Sequence, residues 1–211
     1  MLSNFNNFYG FMRRLLLSIS TFILAISIPA IAQAHHVGAG ETVGFWHGLQ
    51  HPIGGLDHIL AMVAVGIWAV QLGGHAVWSL PLAFVSVMSL GGVLGFSNMQ
   101  LPFVEQGIVA SDLILGGFVL MATRLPLAAS ISIVGLLAIF HGYAHGVEMP
   151  KQASALEYAT GFMVATTALH LSGISIALLM KRLLKDQLVR FAGGGILLGG
   201  VYVLINSLTS S

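Results

Sequence analysis

Two short stretches hold most of the side chains able to do chemistry. The first, HGLQHPIGGLDH over residues 47–58, gathers His47, His51, Asp57 and His58. The second, FHGYAHGVE over residues 140–148, gathers His141, His145 and Glu148. On a helix His145 lies about 40° from His141 and Glu148 about 20° to the other side, so one face can offer two imidazoles and a carboxylate to a single ion. On a straight helix His47, His51 and His58 also fall within about 40° of one another. Pro52 and the pair Gly54-Gly55 argue that the helix is not straight there, because proline removes a backbone hydrogen bond and glycine permits a kink. Asp57 either ligates an ion directly, orients the imidazole of His58, or caps a helix starting near Gly55. The chain contains no cysteine. Imidazole and carboxylate without thiolate suit Ni(II), Co(II), Zn(II) or Cu(II) and disfavour Cu(I).

The two stretches also resemble each other, since Trp46-HisGlyxxHis51 and Phe140-HisGlyxxHis145 share an aromatic-HGxxH pattern. A degenerate internal repeat is the expectation, with an ion held where two halves meet.

The elements that position these residues are membrane helices. Of the 211 residues 56% are hydrophobic and 7% charged, against roughly 25% charged in soluble domains. An ionisable group in such a setting is costly unless paired, wet or metal-bound, so the histidines read as functional. Six apolar stretches, near 54–72, 76–96, 104–123, 126–145, 154–180 and 188–207, each approach the roughly 20 residues that span a bilayer as a helix. The expected fold is an all-α bundle of six transmembrane helices, kinked or broken near residues 51–55, in a domain covering 35–211.

Residues 1–34 read as a cleaved signal peptide: Arg13 and Arg14, an apolar run, then Ala32-Gln33-Ala34, which fits the small-x-small cleavage rule. Cleavage puts His35-His36 at an outer-side N-terminus. Arg124, Lys181, Arg182, Lys185 and Arg190 then fall inside and only Lys151 outside, as the positive-inside rule requires. Both histidine stretches and the C-terminus lie on the outer side of the plasma (inner) membrane in this topology, with Glu41 and Glu105 as solvated loop residues. Glycine pairs at 91–92, 116–117, 193–195 and 199–200 read as close helix packing, and the scattered methionines as packing too. Nothing in the charge pattern points to nucleic acid. No GxxxxGK loop is present, so the chain itself is no ATPase.

HPIGGLDH at the head of the first span and FHGYAHGVE at the end of the fourth resemble the HupE/UreJ family of nickel and cobalt permeases. The resemblance implies uptake of nickel or cobalt, with His51, Asp57 and His58 from one motif and His141, His145 and Glu148 from the other as metal-handling residues. His47 is added by spacing alone. The implied metal is cargo, with no permanently bound cofactor and no enzymatic reaction; its surroundings are membrane lipid. Asp112 and His170, the ionisable groups at depth, are expected to act as relays or structural partners. An intramembrane haem or redox protein, or a metal-binding module without flux, are the alternatives that paired histidines leave open.

Overall fold

A computed structural model describes residues 41–97, 99–183 and 186–209, with the backbone alone at 41–43 and 186. The expected signal peptide, His35-His36 and Lys185 lie outside the described residues. Seven helices and no strand occur among them: α1 (Glu41–Gly54), α2 (Leu56–Leu72), α3 (Ala76–Phe96), α4 (Val104–Met121), α5 (Leu127–Val147), α6 (Ala155–Leu183) and α7 (Asp186–Thr209). Helices α3 to α7 are each long and apolar enough to cross a membrane, and α1 with α2, bent by 79° at their break, are together long and apolar enough for a broken span or a re-entrant loop. The protein is a multi-pass, all-α membrane protein.

The break falls where the sequence predicts it. Pro52 lies inside the last turn of α1, and Gly55 separates the two helices in an extended conformation at φ −96°. The helical run before the break is not among the predicted apolar spans. Its residues 41–53 mix polar and apolar types too evenly for a span of their own, and only the packing of α1 against α6 gives them a place.

Packing rests on glycine, as expected. A β-carbon on Gly91 would collide with the carbonyl of Ile139, on Gly142 with that of Met88, and on Gly146 with that of Gly92, so α3 and α5 touch backbone to backbone. Gly66 and Gly173 do the same for α2 and α6, meeting the carbonyls of His170 and Val63. In lipid, where apolar burial gives little drive for association, such close approach supplies dispersion contact instead. The interior is filled by fully buried side chains including Met62, Trp68, Leu80, Phe84, Met88 and Leu115. Leu82, Leu90, Phe191, Leu198 and Tyr202 stay exposed, as befits a lipid-facing surface.

The chain direction alternates, so α2, α4 and α6 begin at the end where α3, α5 and α7 finish. Arg124, Lys181 and Arg190 lie at the opposite end from the histidines: Lys181 Nζ donates to the carbonyl of Val70 at 2.9 Å, and Arg190 Nε to that of Leu120 at 2.7 Å, both near the C-terminal ends of their helices.

Candidate metal centre

The bend between α1 and α2 turns His51 and His58 toward each other, with ring centroids 5.6 Å apart. The last turns of α5 bring His145 to 4.7 Å from His51 and 5.0 Å from His58. One potential ligand atom from each of these three lies within 4.8 Å of the other two. A cation between them would draw on both sequence motifs at once. His141, one turn deeper on α5, sits edge-to-face on His58 at 4.8 Å.

Two of the imidazoles have carboxylate partners. Asp57 Oδ1 is 2.9 Å from His58 Nδ1, and Glu148 Oε2 is 3.0 Å from His51 Nε2. A carboxylate accepting from one ring nitrogen leaves the other with its lone pair free to ligate, the usual carboxylate–histidine–metal arrangement. The contact of Asp57 with His58 has the geometry of an orienting partner, one of the roles open to Asp57. Lying in the first turn of α2, it also complements the helix dipole. Glu148 is the C-cap residue of α5, its N–H still bonded to the carbonyl of Ala144 at 2.9 Å, so it keeps to the side of the helix that carries His145. From that position it reaches across to His51.

His141 is held differently. Ser111 Oγ donates to the carbonyl of Ile108 at 2.6 Å and lies 2.8 Å from His141 Nε2. With its one proton committed to Ile108, the hydroxyl accepts from Nε2–H, which leaves the lone pair of His141 on Nδ1. Sequence reasoning missed Ser111, since a serine in an apolar span reads as packing; its only signal was adjacency to Asp112. Phe162, stacked on His145 at 4.8 Å and 6°, and Tyr158, 6.5 Å from His51, were missed in the same way.

Among the described residues, buried polar atoms without a hydrogen-bond partner concentrate here: His58 Nε2, His141 Nδ1 and both ring nitrogens of His145. An unmet buried group costs about 1–3 kcal/mol, and a bound ion is one way for such a cluster to be satisfied. His47 is exposed and takes no part in the group of three, because it lies one turn before His51 on α1, farther from the break. Asp112 is wholly buried with neither carboxylate oxygen partnered, its β-carbon facing Gly200. His170 is equally buried and unpartnered on α6.

The glycine of each HGxxH pattern has the same structural task. Gly48 lies against the carbonyl of Tyr158, with Gly161 three residues on from Tyr158 against that of Phe45. Gly142 lies against the carbonyl of Met88, with Gly91 three residues on from Met88 against that of Ile139. Helix α1 thus crosses α6 as α5 crosses α3, and the two motifs sit in matching registers.

A family model described as HupE / UreJ protein matches residues 23–203. Protein HupE of Rhizobium leguminosarum bv. viciae is 45% identical over 187 residues, covering 89% of this chain and 97% of that protein. No solved structure matches the chain. The chain belongs to the HupE/UreJ family.

Proposed function

We propose that the protein is a secondary permease carrying Ni2+ or Co2+ inward across the plasma membrane, with His51, His58 and His145 as the first dehydrating site at the outer face. The observation that carries this reading is the convergence of those imidazoles within 4.8 Å, two of them backed by carboxylates. Neutral imidazoles match the donor preference of both metals. The basic residues at the far end of the bundle favour an outward-facing cluster, in keeping with a topology that has both termini of the mature chain outside. The metal is cargo, and the chain catalyses no covalent reaction.

The driving force need not be ATP. A divalent cation moving inward through about 100 mV gains roughly 4.6 kcal/mol, enough for a gradient on the order of a thousandfold. A haem-binding reading finds no support, since rings in edge-to-face contact at 4.7–5.0 Å leave no slot for a macrocycle between them. Uptake of radioactive nickel and cobalt into proteoliposomes tests the proposal, with His51→Ala and His145→Ala alongside. The expected result is uptake by the unaltered protein and its loss in both variants. Binding without flux would instead mark a metal-binding module, and full flux in both variants would dismiss the site.

A further inference from the structure

Unpartnered polar atoms do not stop at the outer cluster. His141 lies four residues, about 6 Å, inward of His145 along α5. On α6, His170 lies eight residues, about 12 Å, inward of Phe162, the ring that stacks on His145. Phe84 joins the two levels: its ring lies 5.6 Å from that of His141 and 5.1 Å from that of His170. His170 is 1% exposed and neither ring nitrogen has a hydrogen-bond partner. Its backbone carbonyl faces Gly66 on α2. Five residues farther inward on α2 stands Gln71, whose Oε1 is also buried and unpartnered while its Nε2 donates to the carbonyl of Val119. Unpartnered ring nitrogens thus run from the outer cluster to mid-depth between α3, α5 and α6, while Gln71 faces α4.

We propose that His170 is a second, inner stop for the divalent cation, which it takes over from His141 past the ring of Phe84. The inference rests on the transport reading above. An imidazole serving only to fill space carries the cost of two unmet nitrogens, which a leucine of similar size avoids. A cation in transit satisfies one of the two nitrogens while it is bound. One nitrogen donor at mid-depth holds a partly hydrated cation more weakly than three at the mouth, and weaker successive sites are what let an ion leave as well as arrive.

The test uses the full-length protein with His170→Leu, which keeps the volume, and His170→Cys, which keeps a metal-binding side chain in a chain with no other cysteine. Nickel binding in detergent is measured by equilibrium dialysis and nickel uptake in proteoliposomes. For His170→Leu the expected result is an outer-site Kd unchanged within about twofold and uptake reduced about tenfold or more, as for loss of one group from a metal site. His170→Cys recovers part of that uptake and becomes sensitive to block by cadmium, a softer ion suited to thiolate. Unchanged uptake in His170→Leu overturns the inner stop while leaving transport standing. So does a cysteine variant that binds nickel normally at the mouth yet moves it no faster than the leucine variant. Absence of nickel and cobalt uptake in the unaltered protein overturns the transport reading, and the inner stop with it.

Discussion

Nδ1 of His58 stands 2.9 Å from Oδ1 of Asp57, and the same oxygen accepts the backbone N–H of His58 at 2.8 Å. One carboxylate oxygen thus fixes both the start of α2 and the tautomer of the imidazole, leaving Nε2 to face His141 and His145. Asp57→Asn keeps the shape but weakens both bonds, because a charged acceptor is about twice as strong as a neutral one. The expected outcome is a nickel Kd raised by about tenfold to a hundredfold, the usual effect of losing an orienting partner. His58→Ala, which removes the ligand itself, is expected to weaken binding further. Equilibrium dialysis of both variants checks the order; equal losses would make Asp57 a direct ligand.

Gly55 exists to make room for that pair. A β-carbon there would lie 2.6 Å from Asp57 Oδ1 and 3.1 Å from His58 Nδ1, whereas one on Gly54 meets nothing within 4 Å. The backbone at Gly55 is extended, so the obstacle is the side chain and not the dihedral angles. Gly55→Ala is expected to lower nickel uptake about tenfold by displacing the pair, and Gly54→Ala to leave uptake within about twofold. The reverse ranking would show that the bend needs flexibility more than clearance.

Acid should close the site. An ordinary imidazole takes up a proton near pH 6.5, and its protonated form has no lone pair for a metal. Protons and metal compete for the same lone pairs, so binding weakens as pH falls. Nickel uptake at pH 5 is expected to be about tenfold or more below that at pH 7, measured with the membrane potential clamped. A flat profile would remove imidazole from the ligand set.

The sequence made the span pattern legible because lipid demands long apolar helices, and Pro52 with Gly54-Gly55 marked the bend chemically. The helix before the bend was hidden, since α1 owes its position to contact with α6 and not to its own hydropathy. His51, Asp57, His58, His141 and His145 stood out as costly groups in an apolar chain. His47 lies exposed and outside the group of three, since periodicity gives the angle around a helix but not which turn reaches the cluster. Ser111, Phe162 and Tyr158 carried no signal because each is an ordinary membrane-helix residue, and only the crossing of α4 and α6 with α5 and α1 gives them a role.

The contact of α5 with α3 also sets where the histidines stand. Gly142 lies between the two metal-facing histidines of α5 with its α-carbon against the carbonyl of Met88, so any side chain there pushes α5 away from α3 and carries His141 and His145 with it. Overpacking of this kind costs about 1–3 kcal/mol, and in a backbone-to-backbone contact no flexible side chain can yield. Gly142→Val is expected to lower the midpoint of thermal unfolding in detergent and to weaken nickel binding together, because one displacement causes both. Gly195→Ala is the control, as a β-carbon there meets nothing within 4 Å, and alanine in a helix is favoured over glycine by about 1 kcal/mol. Its thermal midpoint should hold or rise with binding unchanged. A Gly142→Val protein of normal stability and normal affinity would mean that the α3–α5 approach is not what aligns the histidines.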